Sequence, residues 1–561
     1  MSTTSTVRQR VASDEWVMRG AVALVGGGLL VGVGLPLYTM LSKSFEDKAG
    51  AFVGFANYAK YFATPALSQS ILNSITISLA ATVITVGLAF VFAYGLTRSC
   101  MPARRLFKAI ALIPLLAPSL LPAIALVYLF GKQGLLKGML FGQDIYGPIG
   151  ILMGEVFYCF PHALIILITA LSLSDQRLYE AAQSLRASAP RIFFTVTIPS
   201  ARYGLISAAF VVFTLVITDF GVPKVIGGWY AVLATDIYKQ VIGQQNFQMG
   251  SVVSVLLIIP AVFAFGVDQF VRRRQVALLS ARAVAFTPKP SRLRDGLLLG
   301  FCALVALAIL AILATAAGAS FVKFWPYNLT PWLGHYDFSN TDGGGWLAYR
   351  NSIEMSAWTA LFGTAIVFVG AYLTEKVRGF VLGRAAVHFL AMIPMAVPGL
   401  VLGLAYIFFF NNPANPLNVL YHTMAILVIC TIVHFYTVAH LTAVTALKQM
   451  DPEFEAVGAS LKVPAYLTFW RVSLPLAVPA LLDISIYLFV NAMTTVSAVV
   501  FLYAPATALA SVAVLNMDDA GDTAPAAAMA MMIVYTSATV RVFHALATRR
   551  LARRSTAWQG R

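Results

Sequence analysis

The stretch EAAQSLRASAPRIFFTVTIP, residues 180–199, and the stretch EAVGASLKVPAYLTFWRVSLP, residues 455–475, share one pattern. Each begins with a Glu-Ala pair, carries a phenylalanine six residues before the end and closes on a proline. The two closing prolines, Pro199 and Pro475, lie 276 residues apart. Both stretches carry charged and polar residues, although the chain around them is strongly apolar. Two matching charged segments in an apolar chain predict two surfaces that contact a soluble partner.

The composition places the chain in a lipid bilayer. Hydrophobic residues make up 59% and charged residues 11%, with a mean hydropathy of +0.80, whereas soluble domains are about a quarter charged. Roughly 20 apolar residues span the hydrocarbon as a helix. We therefore predict an all-α membrane protein with about 12 transmembrane helices. The predicted spans are 20–41, 71–97, 107–131, 148–173, 201–221, 251–271, 297–322, 351–374, 385–410, 419–446, 476–503 and 524–547.

The distribution of basic residues predicts the orientation. Most of the 39 Lys and Arg residues fall in the N-terminal segment, in every second loop and in the C-terminal tail. The positive-inside rule then places both termini in the cytoplasm. The net charge of +16 is interpreted as attraction to anionic inner-leaflet lipid, which is a predicted partner, and not as nucleic-acid binding. The apolar run 20–41 is too long for a signal peptide and predicts an uncleaved first helix.

The chain is an internal duplication. Asn73-Ser74-Ile75 opens one span and Asn351-Ser352-Ile353 opens its counterpart, while Asp175 matches Asp451. Six spans return each repeat to its starting side, so the two six-helix repeats have parallel topology and a path is expected where they meet. The predicted divisions are a cytoplasmic N-terminus (1–19), a first domain (20–271, charged loop 175–199), a basic cytoplasmic linker (272–296), a second domain (297–547, charged loop 451–475) and a basic cytoplasmic tail (548–561).

Each charged stretch predicts a short amphipathic helix. Asp451 can cap a helix that starts at Pro452 and ends near Val463, while the first copy is predicted from about 175 to 189. Two sets of residues fall on single apolar stripes: Leu178, Ala181, Ala182 and Leu185 in the first copy, and Phe454, Val457, Gly458 and Leu461 in the second. Such helices suit insertion into a groove of another protein. The alternative, a helix lying on the bilayer, does not explain why the spacing occurs twice.

Both stretches resemble the EAA loop of permease subunits of ATP-binding-cassette importers. The first copy matches through Glu180, Ala181, Ala182, Leu185 and Pro199, with Arg186 at the family's glycine position. The second matches through Glu455, Ala456, Leu461 and Pro475, with one extra residue after the glutamate and Lys462 at the glycine position. The resemblance covers nearly the whole chain as two fused permease domains. It implies the type I importer fold, a coupling role for these residues and a bacterial inner-membrane location.

The resemblance also implies partners. The sequence has no G-x-x-x-x-G-K-[ST] phosphate loop, so ATP hydrolysis is expected on two copies of a separate cytoplasmic ATP-binding subunit that hold ATP and Mg. A periplasmic solute-binding protein is expected on the other side. We expect no catalytic residue, no metal site and no cofactor in this chain. His434 and His440 share one apolar helix and are interpreted as structural histidines, because isolated buried histidines are more often packed than ligating.

The solute prediction rests on a finer resemblance. Thr218–Lys224, Tyr238–Gln245 and Asn516–Asp522 are most similar to permeases assigned to 2-aminoethylphosphonate import, within a branch that also carries ferric iron and polyamines. Polar groups near the end of an apolar helix are costly against lipid and favour a lined path. The predicted path residues are Thr218, Asp219 and Lys224 in the first half, and Asn491, Thr494 and Thr495 in the second. Asp219 and Lys224 would complement an amine and a phosphonate.

Two other classes fit the residues less well. An ion-coupled secondary transporter would share the duplication, but charged groups should stand in the middle of its spans, and the spans here are nearly free of them. An integral membrane enzyme would need a nucleophile or a metal cluster, and none converges in the sequence. The widely spaced Cys100, Cys159, Cys302 and Cys430 predict neither disulfides nor a zinc site.

Overall fold

The computed structural model describes residues 13–277, 284, 286–376, 380–451, 453–461 and 463–555. The first half contains the α-helices α1 (Ser13–Leu29), α2 (Leu35–Lys43), α3 (Ala56–Ala63), α4 (Pro65–Arg98), α5 (Arg104–Ala111), α6 (Leu120–Phe130), α7 (Pro148–Ser172), α8 (Gln176–Ser184), α9 (Ala189–Ile192), α10 (Ile198–Thr218), α11 (Gly221–Ile226), α12 (Leu233–Tyr238) and α13 (Phe247–Ala277). Single π-helical turns join α1 to α2, α9 to α10 and α12 to the loop before α13.

The second half repeats this order after a long first helix. It contains α14 (Arg292–Phe321), a hairpin of β1 (Val322–Phe324) and β2 (Asn328–Pro331), α15 (Gly345–Glu375), α16 (Val381–Met392), α17 (Gly399–Phe410), α18 (Met424–His434), α19 (Tyr436–Lys448), α20 (Glu453–Ser460), α21 (Ala465–Thr468), α22 (Leu474–Leu476), α23 (Val478–Thr494), α24 (Ala510–Ala520) and α25 (Thr523–Ser555). The hairpin is antiparallel, with Val322 opposite Pro331 and Phe324 opposite Asn328.

The all-α prediction and the span count are confirmed, but four spans are not straight. Across the described residues, eight helices are long and apolar enough to cross a membrane, and four bent helix pairs raise the number to 12. The bends are 105° between α5 and α6 and 116° between α16 and α17, so the predicted continuous spans 107–131 and 385–410 are broken. Pro118 and Pro398 lie in these breaks, and the residues before them, Ala117 and Val397, are extended because a proline disfavours a helical residue before it.

The other two bends distinguish the second half from the first. The predicted span 419–446 bends by 56° between α18 and α19. The predicted span 476–503 is preceded by a 74° bend at Ala477, and its helix ends at Thr494 instead of residue 503. Its first-half counterpart, α9 to α10, forms one unbroken span. Pro479 lies in the first turn of α23 and has no N–H with which to continue the preceding helix across the bend.

Equivalent hydrogen bonds in the two halves support the duplication. The hydroxyl of Ser74 on α4 accepts a bond from the Leu233 amide at the start of α12, 2.8 Å away. Ser352 on α15 accepts the same bond from the Ala510 amide at the start of α24, 2.7 Å away. Both serines are buried, so each satisfies a helix-terminal amide that would otherwise lack a partner. The serine of the Asn-Ser-Ile pattern therefore holds the start of α12 or α24 against the second span of the same half.

The first helix of each half crosses over to the other half. The first span, α1 and α2, packs against α15, α16 and α17 of the second half. In turn α14 packs against α4, α5 and α6 of the first half, and also against α25. This exchange ties the two repeats together along both edges. Between these edges a seam forms where α12 and α13 contact α17 and α6 contacts α25.

The two halves differ in how tightly their fourth and fifth spans pack. A methyl group added at Gly204 on α10 would lie 2.2 Å from the Cβ of Ala170 on α7, so only glycine permits this approach. The equivalent residues of the second half, 276 positions later, are Ala480 and Ala446. Both line a cavity between α19 and α23. Glycine thus stands where α7 and α10 pack closely, and alanine stands at the equivalent place beside the cavity.

We expect Gly204→Ala to destabilise the protein by about 1–3 kcal/mol, since the added methyl group must push α7 and α10 apart. The thermal unfolding midpoint of the purified protein in detergent measures this effect. Gly266→Ala is the matched control, because a methyl group there meets nothing within 4 Å. Equal midpoints for the two variants would contradict the close packing of α7 and α10.

Candidate coupling loops and translocation path

The first charged segment forms the short helix α8 and a tight turn. The Asp175 carboxylate caps the helix by accepting a bond from the Arg177 amide, 3.1 Å away, and it also pairs with the Arg177 guanidinium at 2.8 Å. The side-chain bond from Arg177, followed by its backbone bond, lowers the pKa of Asp175 to about 2. The helix ends at Ser184 and not near residue 189 as predicted, because Arg186 takes a left-handed conformation with φ 51°.

This turn explains the glycine of the EAA pattern. A left-handed residue after a helix is usually glycine, because a side chain is strained there. The first loop keeps the conformation with Arg186 in that place. In the second loop the corresponding Lys462 lies outside the described residues, so its conformation stays a prediction.

The second charged segment forms α20 by the same capping chemistry. The Asp451 carboxylate accepts a bond from the Glu453 amide, 2.9 Å away. The helix runs from Glu453 to Ser460, so it starts one residue after the predicted Pro452, which lies outside the described residues, and it ends before Val463. Glu455 and Ala456 both lie within this helix.

The phenylalanines of the two stretches hold the loops on the membrane domain. Phe193 packs against Tyr94 of α4 with ring centroids 5.8 Å apart, and Phe469 packs against Tyr372 of α15 at 4.8 Å. Each phenylalanine starts a π-helical turn that leads into the following span. Such turns within helices often mark functional sites. The phenylalanine of the pattern is therefore a packing residue, and other positions face outward.

The predicted contact residues lie on the surface. In the first loop Ala182 is half-buried and the other predicted positions are exposed: Glu180, Ala181, Leu185, Arg186 and Pro199. In the second loop the exposed predicted positions are Ala456, Leu461 and Pro475. Leu185 is 83% exposed and Leu461 69%. Two matching patches that combine exposed leucines with charged residues are typical of surfaces that another protein covers.

A cavity opens beside the second loop. It measures about 1660 Å³ and reaches from α20 up along α19 and α23 to Val211 on α10 of the first half. Its charged lining residues are Asp451, Glu453, Arg471 and Asp483. The Asp483 side chain is 65% exposed and lies 3.5 Å from the His544 imidazole. A carboxylate exposed within a membrane-spanning helix is costly against hydrocarbon, so a hydrated cavity is expected around Asp483.

The structure separates two of the predicted path residues. Lys224 on α11 pairs with Asp519 of the second half, 2.8 Å away, and does not pair with Asp219. Asp219 instead accepts a bond from the Val222 amide at the start of α11, 2.9 Å away. Thr218 turns its hydroxyl back onto the Thr214 carbonyl. Lys224 therefore bridges the two halves, and the expected contact of Asp219 and Lys224 with a zwitterionic solute stays a prediction.

Glu155 on α7 is a buried acidic residue that the sequence prediction of the path did not include. It is fully buried (0% exposed), its carboxyl lies close to that of Asp219, and its Oε1 has no hydrogen-bond partner among the described residues. The Cys159 thiol, one turn further along α7, lies 3.9 Å from its carboxylate. An acidic residue within the apolar span 148–173 was the available signal, because a buried carboxyl in a membrane span is costly and marks a functional position.

The equivalent positions in the second half are uncharged. Thr495 corresponds to Asp219 and is buried, and its carbonyl accepts a bond from the Ser511 hydroxyl. Thr494 and Asn491 bond to backbone carbonyls of their own helix, α23. The acidic residues of this region therefore lie in both halves, on α7 and after α10 in the first and on α24 in the second, at positions that do not correspond in the repeat.

Comparison with known proteins identifies the family. The family model described as "Binding-protein-dependent transport system inner membrane component" matches residues 86–276 and again residues 366–553. Each match covers the charged loop of one half and the spans around it. The chain belongs to this family. It is a multi-pass membrane permease with two copies of the family domain.

Named relatives of this permease are transport proteins. The ferric transport system permease protein FbpB of Actinobacillus pleuropneumoniae is 27% identical over 491 residues, which cover 84% of this chain and 70% of the relative. The putative ferric transport system permease protein FbpB 1 of Haemophilus influenzae is 28% identical over 453 residues, 77% of this chain and 70% of the relative. The spermidine/putrescine transport system permease protein PotB of the same organism is 27% identical over 259 residues, 44% of this chain and 90% of the relative.

Proposed function

We propose that this permease forms the membrane channel of an ATP-driven importer in a bacterial inner membrane. One cytoplasmic ATP-binding subunit docks on α8 and a second docks on α20, each holding ATP and Mg. A periplasmic binding protein delivers the solute on the opposite side, and both termini lie in the cytoplasm. The observation that carries the proposal is the pair of exposed amphipathic helices, each capped by an aspartate and anchored by a phenylalanine.

The proposed path runs along the seam between the halves. Its outer part passes Asp219 and the Lys224–Asp519 bridge, and its inner part is the cavity beside α20. Movement of α8 and α20 by the ATP-binding subunits would shift α10 and α23, because each loop continues through a π-helical turn into one of these spans. Closure of one end and opening of the other would then follow from the relative motion of the two halves.

The solute that we propose first is 2-aminoethylphosphonate, on the similarity of Thr218–Lys224, Tyr238–Gln245 and Asn516–Asp522 to permeases assigned to its import. A second candidate is a cationic solute, ferric iron or a polyamine. Two observations favour it: the names of the relatives, and the charges of the path. Lys224 is already paired with Asp519. The neighbouring carboxyl groups of Glu155 and Asp219 form no ion pair with a cation among the described residues.

The experiment that tests the function uses the permease reconstituted in liposomes with its ATP-binding subunit and loaded binding protein. We expect uptake only when both proteins and ATP are present. Uptake driven by a proton gradient without any ATP-binding subunit would contradict the proposal and favour a secondary transporter.

The solute is best identified on the cognate binding protein. Titration calorimetry with 2-aminoethylphosphonate, ferric citrate and spermidine should give micromolar or tighter binding of one solute, that is, a binding free energy of at least about 8 kcal/mol. The same solute should compete for uptake in the liposomes. Binding of spermidine or ferric iron, with none of 2-aminoethylphosphonate, would replace the first candidate by the second.

A further inference from the structure

The segment between the two halves lies across the first charged helix, α8. Its described residues, 284 and 286–291, are called the connector. The Gln176 amide at the start of α8 donates to the Val284 carbonyl at 2.9 Å, and the Val284 amide is 3.4 Å from the Asp175 carboxylate. Further along, the Thr287 amide donates to the Gln176 side-chain oxygen at 3.2 Å. These bonds attach the connector to the N-terminal turn of α8 and satisfy backbone groups of both.

An aromatic and cationic stack secures the same contact. The Phe286 ring of the connector lies 4.7 Å from the Tyr179 ring of α8. The Arg98 guanidinium at the end of α4 stands 4.0 Å from the Phe286 ring and 5.0 Å from the Tyr179 ring. Arg98 is only 2% exposed and also donates to the Leu171 carbonyl at 2.6 Å. Cation–π contacts gain strength when the cation is desolvated, so this stack is a strong local attachment.

The connector also contacts the end of α4 and leads directly into α14. The Cys100 thiol, two residues after α4, lies 3.3 Å from the Pro288 carbonyl. The Asp295 carboxylate in the first turn of α14 accepts a bond from the Ser291 amide at 3.0 Å. The helix α14 in turn packs on α4 and α5. The connector therefore links α8, the end of α4 and the start of α14 into one unit.

The second charged helix has a different environment. Phe454 directly precedes the glutamate of its loop, as Tyr179 does in the first. Tyr179 is 5% exposed beneath the connector, whereas Phe454 is 42% exposed and borders the cavity. The Leu-Thr pair before Arg98 also recurs, but Glu375 follows it in the second half. The stack of Arg98, Tyr179 and Phe286 has no counterpart in the part of the second half that the structure describes.

We propose that the connector is a positioning element for the first coupling site and that the two coupling sites of this permease are mechanically unequal. Phe286 and Arg98 fix α8 to α4 and α14, so the first ATP-binding subunit acts on a rigid unit. The second subunit acts on α20, which borders an open cavity. The proposal rests on the proposed docking role of α8 and α20, and the unequal attachment itself is testable apart from that role.

The experiment measures proximity within the full-length permease, assembled with its ATP-binding subunit in lipid nanodiscs. Gln183→Cys and Lys289→Cys place two thiols where the wild-type side-chain oxygen and Nζ are 3.5 Å apart, and Cys100→Ser removes the exposed native thiol. A short bis-maleimide then reports how often the connector lies on α8. We expect Phe286→Ala to slow this cross-link about tenfold, Phe286→Tyr to restore it and the matched variant Phe454→Ala to leave it unchanged.

A second experiment uses the Phe286 variants without the introduced cysteines. It measures their rate of ATP hydrolysis, and native mass spectrometry counts the attached subunits. Phe286→Ala should lower ATP hydrolysis severalfold with both subunits still attached, and Phe286→Tyr should rescue it. The cross-linked protein should keep its hydrolysis, since the contact is proposed to persist through the cycle.

Three results would overturn the proposal: an unchanged cross-linking rate in Phe286→Ala, unchanged hydrolysis in that variant, or hydrolysis abolished by the cross-link. Failure of any ATP-binding subunit to attach to the wild-type permease is a separate result. It would remove the proposed docking function while leaving the cross-linking comparison valid.

Discussion

Replacing Glu180 and Glu455 together by lysine is expected to abolish ATP-dependent transport while the protein still inserts in the membrane. Glu180 is exposed near the middle of α8, and its carboxylate contacts only Gln176 of the same helix, at 3.1 Å, among the hydrogen bonds of the described chain. A surface carboxylate without a tertiary partner contributes little to the fold. Charge reversal at a contact with another protein replaces attraction by repulsion and leaves a poorly paired charge at the interface.

The expected size follows from the presence of two docking sites. One reversal should weaken attachment of its ATP-binding subunit about tenfold, and the two together should reduce assembly of the complete importer about a hundredfold. Co-purification of the subunit and ATP-dependent uptake in liposomes measure the two effects. Asp144→Lys is the matched control, because it reverses an exposed carboxylate in a loop on the opposite side of the membrane. Normal attachment and uptake in the double variant would contradict the proposed docking of ATP-binding subunits on α8 and α20.

The sequence predicted the features that repeat. Pro199 and Pro475 fixed the alignment of the halves, and this alignment placed Asp175 and Asp451 as helix caps, as the structure finds them. Local patterns of this kind are readable because the cap, the apolar stripe and the closing proline all act within a few residues. The all-α fold follows equally directly, since a bilayer leaves the backbone few ways to satisfy its hydrogen bonds.

The features that distinguish the halves were not readable, because they depend on contacts between distant residues. Lys224 meets Asp519, which lies 295 positions away, although Asp219 is much closer in sequence. The connector reaches α8 across 109 positions, from Val284 to Asp175. Local rules also did not show that Gly204 permits a closed packing that Ala480 does not. Each of these contacts depends on how the spans pack together, and helical periodicity alone does not determine that packing.

Removing the negative charge of Glu155 and Asp219 together should strongly slow transport of a cationic solute. The variants Glu155→Gln and Asp219→Asn keep the size of each side chain and an oxygen that can accept a hydrogen bond. The introduced asparagine can still cap α11 through the Val222 amide, which lies 2.9 Å from the Asp219 carboxylate, so both proteins should fold and insert. The double variant is expected to transport a ferric or polyamine solute at least about tenfold more slowly, because a charged solute crossing an apolar region requires a fixed opposite charge.

This prediction separates the two candidate solutes. At neutral pH the phosphonate of 2-aminoethylphosphonate offsets its ammonium group, so the same double variant should slow its uptake much less than that of spermidine. Uptake of spermidine, ferric citrate and 2-aminoethylphosphonate in liposomes with the complete importer gives the comparison, and attachment of the ATP-binding subunit should stay normal throughout. Glu354→Gln is the control, since it removes an exposed carboxylate from α15. If the double variant carries every solute at the wild-type rate, Asp219 and Glu155 belong to the packing of α7 and α11, and the charge that selects the solute lies elsewhere.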